Sequence, residues 1–412
     1  MMPRTFLWGV ATSAFQLEGS PYADWTAWDS ELQAHPEVTH HYHLYKKDLK
    51  LLKELGVNAY RFSLEWSRIQ PVENQWDTEV LRHYQDMVDL LRQEEIEPMV
   101  TLHHFTHPKW FIEGCPWHHD RSLMRFTEYV ERVAKELKEV RYWITFNEPN
   151  VLLLGGYLDG CMPPGLRDRL SYVRAFENIL RAHGRAFDIL HASLPEAWVG
   201  VAHNMVAFSP YRRWNPLDQF LASTAHQYYN HSLLDALRTG FLRIRFPVLK
   251  KIEMALPVQG KLDYLGVNYY TRIHVRFNPL RPMGLELKHE DRDGLGLTDM
   301  GWEIYPRGME RTLKEASKLG LPIIITENGV ATRDGQKKEK FIKSHLDILE
   351  QCLQRGMDIR GYFYWSLMDN YEWLKGLDAK YGLYSVNYDT LERKATPVAG
   401  FYSYLIKKRS HF

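Results

Sequence analysis

Short apolar runs recur eight times along the chain, separated by longer stretches with the spacing of amphipathic helices. The runs are Phe6–Thr12, Ala59–Leu64, Pro98–Leu102, Tyr142–Phe146, Trp198–Ala202, Tyr264–Tyr269, Ile323–Thr326 and Gly361–Trp365. Their shortness and their β-branched and aromatic content predict buried strands. Between them, Tyr42–Leu55, Glu79–Arg92, Leu123–Val140, Tyr172–Leu190, Leu217–Leu237, Arg307–Leu319 and Glu339–Cys352 return apolar residues every three or four positions. In the first of these, Leu44, Leu49, Leu51, Leu52 and Leu55 form one stripe. Gly56, Gly320 and Gly356 follow helical segments, where a left-handed residue ends the helix.

Strands alternating with helices pair in parallel through right-handed crossovers, and eight of them close into a barrel. The expectation is therefore an α/β protein with one (β/α)8 barrel domain over residues 1–412, its site at the C-terminal strand ends. An open doubly wound sheet is the alternative. Phe6-Leu-Trp-Gly9 offers that fold a single glycine where a dinucleotide-binding turn needs a cluster.

Composition narrows the partners. The 52 Lys and Arg nearly balance the 51 Asp and Glu, which gives no electrostatic case for nucleic acid or an anionic membrane. No run approaches the ~20 apolar residues that span a bilayer. Arg4 followed by Phe6–Ala11 imitates the start of a signal peptide, but the run is short and Gln16 and Glu18 soon interrupt it with polar groups. Cys115, Cys161 and Cys352 have no Cys-x-x-Cys spacing, so neither a disulfide framework nor a thiolate metal site is expected. A cytoplasmic protein is the resulting expectation.

The residues at the ends of the runs carry the chemistry. Gln16 and Glu18 follow the first, Arg61 and Glu65 belong to the second, and His103-His104 close the third. Asn147-Glu148-Pro149 follow the fourth, Asn268-Tyr269-Tyr270 the sixth, Glu327-Asn328-Gly329 the seventh, and Trp365 ends the eighth. Amides, carboxylates, imidazoles and flat rings at one barrel mouth suit a polyhydroxylated ligand. Glu148 and Glu327, each directly after an apolar strand, supply the carboxyl pair that glycoside hydrolysis requires.

Phe6-Leu-Trp-Gly-Val-Ala-Thr-Ser-Ala-Phe-Gln-Leu-Glu-Gly19 resembles the N-terminal signature of glycoside hydrolase family 1. Trp143-Ile-Thr-Phe-Asn-Glu-Pro149 is similar to its acid/base motif, and Ile325-Thr-Glu-Asn-Gly329 to its nucleophile motif. Gly361-Tyr-Phe-Tyr-Trp-Ser-Leu-Met-Asp-Asn-Tyr-Glu-Trp373 is similar to its C-terminal sugar-binding segment. The motifs stand in family order and span nearly the whole chain.

The resemblance implies a retaining exo-β-glycosidase acting on terminal β-D-glucosides, with β-D-galactosides and β-D-fucosides also accepted. It implies Glu148 as acid/base and Glu327 as nucleophile, the latter surrounded by Arg61, Asn268 and Tyr270. Gln16, His104, Asn147, Glu372 and Trp373 would bind the sugar hydroxyls, Trp365 would stack beneath the ring, and Trp302 would flank the leaving group. The substrate is then a small β-glycoside or short oligosaccharide, with no cofactor and no metal. Phe105 replaces a family Trp, Tyr381 replaces a Phe common in glucosidases, and the Ser20–His40 loop is short. Phosphoglycoside-specific relatives show a serine and a lysine near the C-terminal motif. Here Lys380-Tyr381 keeps part of that pattern, without a serine in Leu374–Ala379. A 6-phospho-β-glycosidase, a transglycosidase and a sugar-binding pseudoenzyme are the alternatives.

His103, His104, His107, His118 and His119 invite a metal reading. Adjacent strand residues point to opposite faces, so His103 and His104 cannot both reach one ion. His104 is expected at the sugar and His103 in the core. Trp8, Trp66, Trp76 and Trp143 are expected to pack.

Overall fold

Eight strands, all parallel, close into a barrel in the computed structural model, which describes residues 6–30, 32, 37–244, 252–281 and 284–410. Arg4 and part of the Ser20–His40 loop lie outside the described residues. In chain order the strands are β1 (Leu7–Ala11), β2 (Ala59–Ser63), β3 (Glu97–His103), β4 (Tyr142–Asn147), β5 (Trp198–Asn204), β6 (Tyr264–Asn268), β7 (Ile323–Asn328) and β8 (Ile359–Trp365). Each pairs with its neighbours in sequence, and β1 closes the ring against β8 through Leu7–Gly361 to Ala11–Trp365. All eight apolar runs are barrel strands.

The barrel interior is filled by Leu7, Met99, Ile144, Tyr264, Ile324 and Phe363. A large ring on one strand needs a gap on the next. A Cβ on Gly200 of β5 would lie 2.6 Å from Cζ of Tyr264 on β6, so only glycine fits opposite that ring. The larger core lies outside, between strands and helices, and takes in Trp8, Trp66 and Trp143, with Trp76 packed against it.

The principal helices are α1 (His41–Leu55), α2 (Thr78–Gln93), α3 (Arg121–Glu136), α4 (Arg169–Ser193), α5 (Pro216–His226), α6 (Ser232–Thr239), α7 (Pro306–Ala316), α8 (Gly335–Gln354) and α9 (Pro397–Ser410). Side-chain caps fix several starts. Asp77 accepts from the amides of Glu79 (2.9 Å) and Val80 (3.1 Å) at α2, and Asp168 accepts from Ser171 N at 2.7 Å at α4. Gly56 ends α1 in the left-handed conformation at φ 70°.

Two helices differ from their sequence periodicity. The helix expected over Leu123–Val140 stops at Glu136, because buried Leu137 leaves helical geometry (φ −95°, ψ 62°) and the chain turns towards β4. The helix expected over Leu217–Leu237 is interrupted by a π turn, Gln227–His231, between α5 and α6. A one-residue insertion leaves helical periodicity on either side of it and shifts the phase by about 100° across it. Beyond the barrel mouth, Ala207–Pro210, Arg272–Phe277 and Leu285–Lys288 form a three-stranded sheet as extensions of the chain after β5 and β6. Among the described residues, no helix is long and apolar enough to cross a membrane.

Candidate active site

Local backbone geometry explains why Glu148 faces the barrel axis. Asn147 ends β4, and Glu148 then takes a left-handed conformation (φ 44°, ψ 56°) before Pro149 opens the short helix Pro149–Leu153. Proline suits the first helical position, where its missing N–H is not required. A non-glycine residue in left-handed geometry is strained and persists only where its surroundings hold it. Here the amide of Glu148 donates to Ala202 O on β5 at 2.7 Å.

Glu327 is set by a different device. The pairing of β7 shifts register against β6 between Ile325 and Glu327, and against β8 between Ile325 and Asn328. Such an irregularity re-aims side chains at a barrel rim. Asn328 secures the turn by donating to Tyr269 O at 2.6 Å and accepting from the Tyr362 hydroxyl at 2.9 Å. A Cβ on Gly329 would lie 1.9 Å from the carbonyl oxygen of Trp365, so the chain can pass β8 there only as glycine.

The two carboxyls are buried and held by separate partners that share one amide network. Arg61 donates to Glu327 Oε1 at 2.6 Å and to Asn147 Oδ1 at 2.6 Å, and the Tyr270 hydroxyl donates to Glu327 Oε2 at 2.6 Å. Asn268 donates to Glu148 Oε1 at 2.9 Å and to Asn147 Oδ1 at 3.1 Å, while its own Oδ1 accepts from Thr326 at 2.6 Å. Asn204 donates to the same Oε1 of Glu148 at 2.8 Å. His104 Nε2 pairs with the Asn147 amide nitrogen at 3.1 Å, and its ring lies nearly parallel to those of Trp365 and Trp373.

Electrostatics separates the pair. Burial, and then the charge of Glu327, push Glu148 up to about 7, with the Asn204 and Asn268 hydrogen bonds pulling the other way. Burial also raises Glu327, but the Arg61 charge and the hydrogen bonds from Tyr270 and Arg61 favour its ionised form. Glu148 is therefore the better proton holder and Glu327 the better anion. A third carboxyl, half-buried Glu372, is raised to about 8 by burial and by the charges of Glu327 and Glu148. Burial, reinforced by Arg61, keeps His104 neutral.

Comparison with known proteins agrees with this geometry. The glycosyl hydrolase family 1 profile matches residues 1–411. The chain belongs to glycosyl hydrolase family 1. It is 37% identical to a solved β-glycosidase from Pyrococcus horikoshii, with a TM-score of 0.92 over 99% of this chain and 95% of that one. It is 33% identical to β-glucosidase A of Thermotoga maritima over 98% of this chain and 97% of the relative. It is also 31% identical to a 6-phospho-β-galactosidase of Streptococcus mutans, covering 98% of both.

The family 1 cleft has a volume of ≈ 270 Å³ and is lined by nine of the twelve residues singled out in the sequence: His104, Asn147, Glu148, Tyr270, Trp302, Glu327, Trp365, Glu372 and Trp373. The other three, Gln16, Arg61 and Asn268, are fully buried behind that wall. Gln16 donates to Tyr371 O at 2.6 Å, and its Oε1 is buried without a hydrogen-bond partner. Asn268, expected beside Glu327, donates to Glu148 at 2.9 Å and also reaches Glu327, whose ionised form it favours. Glu65, another strand-end carboxylate, caps the short helix Trp66–Ile69 and does not line the cleft. His103 packs among His107, Trp117, Phe126 and Phe146, on the face opposite His104.

Sequence reasoning missed Asn204 and Tyr229, which both line the cleft. The signal for Asn204 was an amide at the end of the fifth strand, two residues beyond its apolar run. It also missed the cluster of His226, His231 and Glu315, which has the composition of a metal site. The hydrogen bonds there do not suit a cation. Asn230, pinned to both N and O of Val206, points its amide at His226 Nδ1 (2.9 Å), so neutral His226 carries its proton on Nε2, the atom facing Glu315. A metal-binding imidazole donates from its other nitrogen, and Asn230 prevents that.

Proposed function

We propose that this family 1 enzyme is a retaining exo-β-glycosidase with Glu327 as nucleophile and Glu148 as acid/base. The observation that carries the reading is the unequal treatment of two buried carboxyls in one cleft, Glu327 paired with Arg61 and Tyr270 and Glu148 held only by neutral amides. Glu327 attacks the anomeric carbon as Glu148 protonates the departing oxygen, leaving a glycosyl ester on Glu327. Formation of the ester removes the charge that raises Glu148. Glu148, left ionised by that proton transfer, is more easily kept so and, as general base, draws a proton from the incoming water as the water oxygen attacks the anomeric carbon; the C–O bond to Glu327 breaks and the enzyme is restored.

We further propose an unphosphorylated terminal β-D-glucoside as the preferred substrate, with β-D-galactosides and β-D-fucosides also turned over. Glu372 and Trp373 supply polar groups to the sugar hydroxyls, Trp365 stacks beneath the ring, and Trp302, edge-on to Tyr270 at 5.8 Å, flanks the leaving group. The phosphoglycosidase relative makes a 6-phosphate substrate the second reading. Against it, no lysine or arginine lines the cleft among the described residues. Lys380 donates to Leu377 O at 2.8 Å and lies over the Tyr388 ring, and Lys375 is exposed. The free cysteines Cys115, Cys161 and Cys352 support a reducing compartment such as the cytoplasm. A 2-fluoro-β-glucosyl fluoride should label Glu327 stoichiometrically and stop turnover, with the mass found on its tryptic peptide. A label on any other carboxylate, or inverted stereochemistry in the first product, would overturn the assignment.

A further inference from the structure

The carboxyl of Glu148 is held through one oxygen. Both amides that reach it, Asn268 at 2.9 Å and Asn204 at 2.8 Å, donate to Oε1. A carboxyl oxygen has two in-plane lone pairs, so Oε1 is saturated and the proton of the neutral acid sits on Oε2. Asn204, the last residue of β5, is itself oriented: its Oδ1 accepts from the Tyr229 hydroxyl at 2.9 Å, which turns its Nδ2 towards Glu148. Burial and the charge of Glu148 keep that phenol protonated and donating.

Tyr229 reaches the cleft from the π turn Gln227–His231 between α5 and α6. Asn230 anchors the turn on the chain beyond β5 by accepting from Val206 N at 3.0 Å and donating to Val206 O at 2.8 Å. His203 Nε2 adds a contact to Asn230 O at 2.9 Å. Single-turn π insertions of this kind recur at functional sites.

We propose that Asn204, oriented by Tyr229, is a positioning residue for the acid/base: it confines the transferable proton of Glu148 to Oε2 and holds Oε1 as the non-reacting oxygen in both steps. The inference rests on the assignment of Glu148 as acid/base. An amide donating to a carboxyl oxygen binds the ionised form more strongly, so the pair also makes the general base easier to form after the glycosyl-enzyme appears. The other ionisable groups facing Glu148 are Glu327 and Arg61, with Glu372, Tyr270 and Tyr381 further round the cleft. The side chain of Asn204 hydrogen-bonds Glu148 and Tyr229, and its carbonyl accepts from Asn150. Burial pushes the titration of both His104 and His289 down.

The test is the pH dependence of kcat/KM for an aryl β-glucoside with a poor leaving group, in Asn204→Ala and Tyr229→Phe. Asn204→Ala should move the alkaline limb upward by about 0.5–1 pH unit, the difference between one hydrogen bond to the charged and to the neutral form of the carboxyl. Tyr229→Phe should move it the same way by less. On a dinitrophenyl glucoside, limited by the second step, Asn204→Ala should lose roughly tenfold in kcat, part of the whole acid–base contribution. Azide should restore that loss. Full labelling by the 2-fluoro glucosyl fluoride shows that each variant still assembles its site. An alkaline limb unmoved or lowered in both labelled variants would overturn the proposal. Glu148→Ala separates the two claims. If it keeps the limb, the acid assignment fails; if it abolishes the limb while Asn204→Ala leaves it in place, only the positioning role fails.

Discussion

The two halves of the barrel mouth are built differently. On the half formed by β8, β1, β2 and β3, Trp365, Gln16, Arg61 and His104 stand on the strands or just beyond them, and Glu372 and Trp373 join them from the chain after β8. They are tied to one another and to the backbone, as Gln16 is to Tyr371 and Arg61 to Thr326. On the half formed by β4, β5 and β6, Asn147, Asn204 and Asn268 also stand at strand ends, but the outer cleft wall comes from the excursions that follow the strands. Val151, Met162, Val206, Ile273, Met300 and Trp302 make that wall largely apolar. The first half can recognise a fixed pattern of hydroxyls, because each polar group has a rigid mount. The second can select by size and hydrophobicity but makes few directional contacts.

Glu148 stands where the halves meet, and its removal should give the largest contrast between them. Glu148→Ala should cost about 10²–10⁴-fold in kcat/KM for alkyl glucosides, which need a proton on the leaving oxygen. It should cost far less for dinitrophenyl glucoside, whose leaving group departs as the anion. Added azide should rescue the latter and yield the β-glucosyl azide, read by proton NMR. Near-normal turnover of alkyl glucosides by this variant would assign the acid elsewhere.

That same contrast decided what was legible in the sequence. Barrel strands have to be apolar and separated by helices, so all eight showed as runs, and the polar residues just beyond them cluster at the mouth, although Glu65 and His103 turn away from the cleft. His104, Glu148 and Glu327 were readable for that reason. Asn204 lay beyond an apolar run that ends at Ala202, although β5 extends to Asn204 itself. Tyr229 was concealed because the π turn preserves helical periodicity through Leu217–Leu237 while rotating its phase. The apolar wall had no signature, since Met162, Val206 and Ile273 sit in segments whose course depends on tertiary packing. Asn268 was placed at the right strand end and beside Glu327, but that its amide also serves Glu148 depends on side-chain direction within a fraction of a turn.

The wall can be tested against the hydroxyl-binding half. Met162→Ala and Ile273→Ala should each lower kcat/KM for octyl β-glucoside roughly tenfold, the scale of small deletions in an apolar pocket. Methyl β-glucoside, too short to cover the wall, should be nearly unaffected, and inhibition by free glucose should not change. If both glucosides lose activity equally, these residues act on the sugar half and the division of the mouth is wrong.

The smallest effect concerns stability on the sugar half. Glu372 is raised from an ordinary value near 4.5 to about 8 by burial and by the neighbouring charges of Glu327 and Glu148. A carboxyl held protonated in the folded state but ionised in the unfolded chain makes folding take up a proton. The linkage sign is then negative: stability falls as pH rises from near 4.5 and levels off above about 8, where both states are ionised. Glu372→Gln removes the titration while keeping shape and hydrogen-bonding capacity. Its Tm should match that of the unmodified enzyme near pH 4.5 and exceed it by a few degrees at pH 8, a gain of about 1 kcal/mol being worth roughly 2–4 °C in a domain of 150–250 residues and less in a longer chain. Above about pH 8, where Glu372 is ionised in the folded enzyme, the same variant should raise KM for aryl β-glucoside, because a carboxylate is a stronger acceptor for sugar hydroxyls than an amide. Stabilisation with weaker sugar binding at that pH would show that this half of the mouth keeps a carboxyl whose ionisation destabilises the fold for the sake of recognition, as functional sites commonly do. A Tm difference that stays constant across this pH range would mean that Glu372 is already ionised in the folded enzyme.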